Sequence, residues 1–196
     1  MTHSLHRLGE EEELINDYVL LAMLARGFND KHPDARNRLV QIGKIFSENN
    51  PASIMDEKLW NISPVISASF DDIENVKKVL KMIKDKNLGI SIVISGLISK
   101  ILELAKEIDL TPHTIHLSLG VFGNKELLPK EDILKITTMC GHHCISPQSV
   151  EHYADLIVKG KISIKEAAEK LAKCCVCGIF NPIRAQNLLN KIIKRI

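Results

Sequence analysis

The placement of the cysteines constrains the fold of this 196-residue chain more than any other feature of its sequence. All five cysteines lie in two short segments, TTMCGHHCIS at 137–146 and LAKCCVCGIFNP at 171–182. Between these segments the pattern predicts two helices of about 13 residues, each roughly 20 Å long, joined by a tight turn. Because such helices pack as antiparallel neighbours, we expect the two cysteine loops to meet at one end of a helical bundle.

Capping residues define the four helices of this bundle. Serine or asparagine caps followed by proline or a capping box begin a helix, and glycine ends one. The predicted boundaries are a first helix over 131–139, Ser146–Pro147 to Gly160 for the second, Ser163–Glu166 to Cys175 and Gly178 for the third, and Asn181–Pro182 for the start of the fourth.

The middle of the chain predicts a β-α-β-α-β unit. Its strands are predicted at 65–70, 90–95 and 114–119, with helices over 71–86 and 97–108 between them. Strands joined by helical crossovers are usually parallel. Each strand alternates an apolar face with a face of mainly small hydroxyl side chains, and the second face is expected to meet solvent, another subdomain or a ligand.

The N-terminal part of the chain is predicted to be helical. An acidic first turn and apolar residues at helical spacing predict a helix over Glu10–Arg26, and a second helix is predicted over Pro33–Ser47. The chain is therefore predicted to be an α+β protein of three regions. These are N-terminal helices at 1–60, a small three-stranded α/β unit at 61–124, and a C-terminal antiparallel helical bundle carrying the cysteine loops at 125–196.

The composition predicts a cytoplasmic globular protein. Hydrophobic residues make up 45% and charged residues 26% of the chain, which allows a sizeable core. No apolar run approaches the roughly 20 residues of a membrane span, and the N-terminus lacks the apolar region of a secretion signal. In a reducing compartment, clustered thiols more often bind a metal or act in catalysis than form structural disulfides.

The cysteine cluster predicts an iron–sulfur centre. Four thiolates hold a [4Fe–4S] cluster, and the preferred ligands are Cys140, Cys144, Cys177 and one of Cys174 and Cys175. If only three thiolates bind, the fourth iron stays open or takes His142 or His143. Zinc with tetrahedral Cys/His ligation is the alternative, although C-x₃-C and C-C-x-C are not the usual paired C-x₂-C knuckles.

Two metal-free interpretations of the cluster stay open. A redox-active thiol pair or a persulfide carrier would use Cys174–Cys175 or Cys140–Cys144. Free cysteine is also commonly just a small apolar side chain of a protein core.

The C-terminal region favours an anion near the thiols. Residues 159–196 contain nine Lys and Arg against two Glu, and two helix N-termini lie at the predicted thiol end. The expected substrate pocket includes His116, Ser118, Asn181 and Arg184. We expect a redox partner or a small anionic ligand, and a homo-oligomer stays open. His3 and His6 are a further chelating or anion-binding pair, on an N-terminal arm that is usually solvated.

The sequence thus predicts a cytosolic iron–sulfur protein of redox or anaerobic metabolism, which carries electrons or acts on a small anionic substrate. The alternatives are a zinc-binding interaction module and a redox- or metal-sensing DNA-binding regulator. For the regulator, segments 163–172 and 181–195 resemble a helix-turn-helix with a basic second helix. The intervening loop is longer than the usual turn, and 4% aromatic residues argue against base-stacking surfaces, so nucleic acid is not the expected partner.

Overall fold

The computed structural model describes residues 7–195, so His3 and His6 lie outside the described residues. The α-helices are α1 (Glu11–Leu14), α2 (Ala35–Glu48), α3 (Ile73–Lys86), α4 (Ile98–Glu107), α5 (Glu131–Thr137), α6 (Pro147–Val158), α7 (Ile164–Lys173) and α8 (Pro182–Ile193). The strands are β1 (Tyr18–Met23), β2 (Ser53–Ile54), β3 (Val65–Phe70) and β4 (Ser91–Ser95), and short 3₁₀-helices cover Glu57–Leu59 and Lys125–Leu127. The α+β fold class is confirmed. Helices α2 to α7 begin and end within about two residues of their predicted bounds, and α8 begins where it was predicted to begin.

The central strand of the sheet is β1. The strand order is β2-β3-β1-β4, and every neighbouring pair is antiparallel. Leu20 of β1 lies opposite Ala68 of β3 on one side and opposite Ile94 of β4 on the other. Because β3 and β4 both oppose β1, they run in the same direction, and α3 connects them past the intervening strand. The sheet is therefore a split β-α-β unit with the N-terminal strand inserted between its two strands.

The predicted helix over Glu10–Arg26 is wrong for most of its length. Only the short α1 is helical there, and the following segment YVLLAM forms β1. Tyr18 to Ala22 are all buried, because helices cover both faces of the sheet. A strand buried on both faces is a continuous apolar run, and periodicity alone cannot separate such a run from a buried helix.

The third predicted strand, 114–119, is also wrong, and the two crossover strands β3 and β4 run in the same direction, as expected, without pairing with each other. Residues 114–119 have no regular secondary structure and are exposed throughout. Instead, β1 lies between the two crossover strands and runs antiparallel to both. Alternating apolar residues identify a segment that is suited to a sheet, but they do not say which edge it pairs with.

Two hydrophobic cores lie on opposite faces of the sheet. The first packs Leu20 and Ala68 against α2, α3 and α4. The second is formed by α5 to α8 and includes Val19, which points to the opposite face of β1. Cys177 packs against both cores. The C-terminal bundle is therefore placed directly against the sheet face that carries the hydroxyl side chains.

The predicted N-caps of the C-terminal helices are confirmed. Ser146, Ser163 and Asn181 each accept a hydrogen bond from a backbone N–H group in the first turn of the helix that follows. These bonds satisfy donors that have no partner inside the helix. The caps set the lengths of α6 and α7, and those lengths decide where the two cysteine loops lie.

The predicted division into three regions and the possibility of a membrane span can be examined for residues 7–195 only. In that range, each helix is too short or too polar to cross a membrane. β1 lies in the first predicted region, yet it pairs with β3 and β4 of the second. The division of the chain at residues 60 and 124 stays a prediction.

An ion cluster attaches α1 to the helical bundle. Lys135 of α5 lies 3.2 Å from Glu13 and 3.4 Å from Glu10, and Lys191 of α8 lies 2.6 Å from Glu13. Burial raises the pKa of Glu13, but hydrogen bonds from Lys191, the Glu10 backbone and Lys135 outweigh burial and lower the pKa to about 2. The fold therefore stabilises the charged form of Glu13.

We expect the free energy of unfolding to fall as the pH decreases from 4.5 towards 2, because Glu13 is protonated in that interval. A carboxyl whose folded pKa is lowered stabilises the fold above its ordinary pKa and loses this contribution as the pH falls through the folded value. Glu13→Gln should therefore be less stable than the wild type above pH 4.5, and the two should converge near pH 2. Urea unfolding over this pH range measures the difference.

Glu12→Gln is the matched control, because Glu12 lies on the same helix and is exposed. Its stability is expected to follow the wild type at every pH. A difference between Glu13→Gln and the wild type that stays constant across the pH range would contradict the electrostatic explanation.

Candidate thiol site

Four of the five cysteines and one histidine lie together where the two cysteine loops meet. Cys140 and Cys175 lie close enough to shift each other's pKa, and burial, together with Cys140, raises the pKa of Cys144. The Sγ atoms of Cys175 and Cys177 are 3.6 Å apart. Cys177 Sγ is also 3.6 Å from His142 Nδ1, across 35 positions of the chain. These contacts confirm the predicted meeting of the two loops.

Cys174 and His143, the other two predicted ligands, are exposed. Cys174 is the C-cap of α7, and its thiol donates to the carbonyl of Lys170 at 3.7 Å. His143 adopts a positive φ of 54° in the turn that follows Cys140. Among residues 7–195, no hydrogen bond links either side chain to the thiol cluster. Of the two vicinal cysteines, Cys175 is therefore the one that lies at the site.

The second cysteine loop is docked on the hydroxyl face of the sheet. Ser67 Oγ donates to the carbonyl of Cys177 at 2.7 Å, and Ser69 Oγ donates to the carbonyl of Phe180 at 3.2 Å. Both serines lie on β3 and are fully buried. The hydroxyl face therefore meets a second part of the fold, which is one of the outcomes expected for it.

Gly178 allows this loop to approach the sheet closely. Its φ of 69° lies in the left-handed region that side chains with a Cβ rarely adopt. A Cβ at this position would also overlap the backbone of Ile54 and Met55, at the end of β2. Both the conformation and the lack of space require glycine here.

Arg7 holds the two cysteine loops together from the N-terminal side. Its guanidinium donates to the carbonyl of Met139 at 3.2 Å and to the carbonyl of Ile179. Met139 precedes Cys140 in the first loop, and Ile179 follows Cys177 by two residues in the second. One side chain therefore bridges the backbones of both loops beside their cysteines.

Asp17 is a fully buried carboxylate that binds two arginines. It lies 2.6 Å from Arg7 Nη1 and 2.8 Å from Arg184 Nη1, and it accepts a hydrogen bond from Asn181 Nδ2 at 3.1 Å. The two arginine side chains are 5% and 4% exposed. Burial lowers the pKa of Arg184 from its ordinary value, although the charge of Asp17 opposes this effect. The Nε atoms of both arginines have no hydrogen-bond partner among the described residues, so the network is not fully satisfied.

The pKa values of three thiols decrease along the series Cys140, Cys175 and Cys177, because neighbouring thiols in the series interact. A hydrogen bond with Cys175 and burial raise the pKa of Cys140 above its ordinary value. The bond with Cys140 lowers the pKa of Cys175, but its bond with Cys177 and its burial outweigh this and raise the pKa to about 11. The bond from Cys175 and the backbone N–H of Ile179 lower the pKa of Cys177. Burial raises this pKa, but the lowering effects outweigh it. The thiolate form is therefore favoured most at Cys177.

The side chains at the site are of the types that bind soft metals. Thiolates and imidazole are the ligands of iron–sulfur clusters and of structural zinc. Within residues 7–195, however, no group of three or more His, Cys, Asp or Glu side chains is arranged to hold a metal ion. The contacts between the sulfurs and the imidazole are pairwise, so a metal would require the side chains to turn towards a common point.

The residues predicted to line a substrate pocket lie in two different environments. Asn181 and Arg184 are buried in contact with Asp17, whereas His116 and Ser118 are exposed in a segment without regular structure. Asn181 and Arg184, the two expected pocket residues at the start of α8, are therefore part of an internal ion network and do not line a pocket. A surface cleft of about 600 Å³ lies elsewhere, between α1, α5 and the end of α8, and charged side chains of both signs line it.

Several residues that hold the site were not found by sequence reasoning. Arg7 and Asp17 flank an acidic run that has the pattern of an ordinary exposed helix start. The available signal was the position of Asp17 directly before a long apolar run, since a buried carboxylate has to be paired. Ser67 and Ser69, by contrast, belong to the hydroxyl face that was expected to meet solvent, another subdomain or a ligand, because they alternate with apolar residues along a strand.

Comparison of the chain with family models, with curated proteins and with solved structures gives no match. No residue role is therefore transferred from another protein. The assignment of a function rests on the chemistry and geometry of the thiol site.

Gly178→Ala is expected to lower the free energy of unfolding by about 3 kcal/mol or more, because it combines backbone strain with an overlap that side-chain rotation cannot relieve. Gly160→Ala is the control. Gly160 has a similar φ of 65° but no atom within 4 Å of an added Cβ, so its cost should be about 1 kcal/mol. Urea unfolding measures both, and equal costs would contradict the close docking of the second loop.

Asp17→Ala is expected to cost about 3–5 kcal/mol, because it leaves two buried guanidinium groups without their counter-charge. Glu169→Ala removes an exposed ion pair with Lys165 at 4.0 Å and should cost less than about 0.5 kcal/mol. Urea unfolding at neutral pH compares the two variants. A cost below about 1 kcal/mol for Asp17→Ala would mean that the network does not hold the fold together.

Proposed function

We propose that this protein is a metal–thiolate protein of redox metabolism, in which Cys140, Cys144, Cys175 and Cys177 hold an iron–sulfur cluster. In this proposal the protein works in a reducing compartment such as the cytosol, where the thiols stay available. The cluster would carry electrons or bind a small anionic ligand. The observation that supports the proposal most directly is the collection of four free thiols from two distant loops at one place.

The exposure of the four thiols argues against a purely structural role. Cys140 and Cys175 are buried, but Cys144 is exposed and Cys177 is half-buried. Cysteines that only fill a core are expected to be buried among apolar side chains. The half-buried Cys177 instead lies beside the polar ring of His142. A site with two inner and two outer sulfurs has the access that a cofactor or a redox partner needs.

The surroundings of the sulfurs favour negative charge. Backbone N–H groups of Phe180 and Ile179 hydrogen-bond Cys175 and Cys177, respectively. The capped N-termini of α6 and α8 follow the two loops, although the C-termini of α5 and α7 partly offset their dipoles. Hydrogen bonds to cysteine sulfurs are among the factors that set the potential of an iron–sulfur cluster.

Two distances favour zinc as a second candidate, with Cys140, Cys175, Cys177 and His142 as ligands. Tetrahedral zinc with Zn–S bonds of about 2.3 Å and Zn–N bonds of about 2.0 Å would separate two sulfurs by about 3.8 Å, and a sulfur from a nitrogen by about 3.5 Å. The Cys175–Cys177 and Cys177–His142 separations are both 3.6 Å. In a [4Fe–4S] cluster each cysteine binds a different iron, which places the sulfurs further apart.

The basic residues of segment 181–195 do not favour the DNA-binding alternative. Lys191 pairs with Glu13 at 2.6 Å, and Arg195 pairs with Asp132. Arg184 is buried. Two of these three cations are paired with carboxylates and the third is buried, which reduces the positive charge that this segment offers to phosphates.

Anaerobic purification followed by a visible spectrum and by iron, sulfide and zinc analysis tests the proposal. An iron–sulfur protein is brown and contains acid-labile sulfide, whereas a zinc protein is colourless with one zinc per chain. Protein with neither metal after reconstitution under reducing conditions would refute both metal assignments.

Single substitutions distinguish the two ligand sets. Cys140→Ser and Cys177→Ser should each abolish metal binding in either case, because both residues belong to both sets. Cys144→Ser should abolish it only for the four-cysteine cluster, and His142→Ala only for zinc. Cys174→Ser is the matched control, since this exposed thiol adjoins Cys175 but makes no contact with the thiol cluster within the described chain. Loss of metal in Cys174→Ser would contradict the site described above.

A further inference from the structure

Residues 111–128 form a continuous exposed segment. Leu110, just before it, still packs against the first hydrophobic core. The large apolar residues exposed within the segment are Ile115, Leu117, Leu119, Val121, Phe122, Leu127 and Leu128. Single exposed apolar residues are ordinary on a protein surface, but so many in one short segment mark an interaction site.

The part of this segment over 114–119, TIHLSL, has the pattern of a half-buried strand. Ile115, Leu117 and Leu119 alternate with Thr114, His116 and Ser118, so that an extended backbone would place the apolar side chains on one face. Leu117 is 66% and Leu119 is 86% exposed. The segment therefore has an apolar face that the single chain does not bury.

The outer edge of β4 is the complementary feature of the same molecule. In the described sheet, β4 is the last strand and pairs on one side only, with β1. Ile92 and Ile94 of β4 are half-buried at the margin of the first core. An open edge presents unpaired N–H and C=O groups, to which an extended segment can add as a further strand.

Neither element carries the charges that usually protect an exposed edge. Residues 88–99, which include β4, contain no Asp, Glu, Lys or Arg, and neither do residues 111–124. This is unusual in a chain of which 26% is charged. Exposed edge strands in natural proteins commonly carry lysine, proline or inward-pointing charges that prevent pairing, so an edge without them is suited to a partner strand.

We propose that residues 114–119 pair as a fifth strand with the outer edge of β4 of a second copy of this chain. Every copy carries both the segment and the open edge, so the exchange is reciprocal and closes into a two-fold dimer. Main-chain hydrogen bonds hold the added strand, and Leu117 and its apolar neighbours extend the face formed by Ile92 and Ile94. The proposal is independent of the thiol site.

The proposed pairing is small. The six residues of 114–119 and the five of β4 place 11 residues of each copy in the contact, fewer than the roughly 20–30 residues a side of a standard interface, so we expect a concentration-dependent dimer rather than a permanent one. Residues 111–128 are exposed along their whole length and form no strand of the described sheet, in which β1 is the only strand neighbour of β4. A second copy supplies the same segment without any change in the rest of the fold.

Sedimentation velocity over a range of concentrations tests the dimer. We expect a monomer–dimer equilibrium whose dissociation constant rises at least about tenfold in Leu117→Asp, because a buried leucine is replaced by a charge. Leu127→Asp is the matched control, since Leu127 is 82% exposed but lies outside the predicted strand. No residue of 111–128 is buried in the single chain, so both variants should keep the wild-type circular dichroism spectrum.

Hydrogen exchange of the β4 amides identifies the contact. The amides of Ser91–Ile94 that do not face β1 should be protected in the dimer and should exchange freely in Leu117→Asp. A monomer at all concentrations overturns the proposal, and protection of these amides in that monomer would show that the chain pairs with its own β4. Equal weakening by Leu117→Asp and Leu127→Asp also overturns strand pairing, because it indicates a general apolar contact.

Discussion

The buried carboxylate of Asp17 is the interaction on which the arrangement of this molecule depends. It lies directly before the central strand β1 and between the guanidinium groups of Arg7 and Arg184. Arg7 also binds the backbones of both cysteine loops. Because an unpaired buried charge is strongly destabilising, these groups have to assemble together. Arg7, the sheet and the thiol loops are therefore held in one relation to each other by a single network.

Most helices and the meeting of the two cysteine loops could be predicted, because their signals are local. Caps such as Ser146 and Ser163 set the lengths of two consecutive helices, and similar lengths return the chain to the same level. The central strand β1 could not be predicted, since burial on both faces removes the alternation that identifies a strand. The contact between Arg7 and the Ile179 carbonyl spans 172 positions and has no local signal.

The choice between the vicinal cysteines illustrates why a site resists prediction even when its loops are correctly located. Successive residues at the end of a helix point about 100° apart, so a shift of one position exchanges an inner for an outer thiol. At the end of α7, this rotation turns Cys174 to solvent and Cys175 into the bundle. The boundary of a helix is known from sequence only to within about two residues, which is less precise than this choice requires.

The insertion of β1 between β3 and β4 makes the order of folding differ from the order of synthesis. Val19 pairs with Ser95, so the first strand made has no complete place in the sheet until the fourth has left the ribosome. Closing such long-range contacts is slow compared with helix formation. Cys140 is likewise synthesised well before Arg184, which completes the network beneath the loops. A nascent chain therefore exposes its sulfhydryl groups to solvent until the last helix docks.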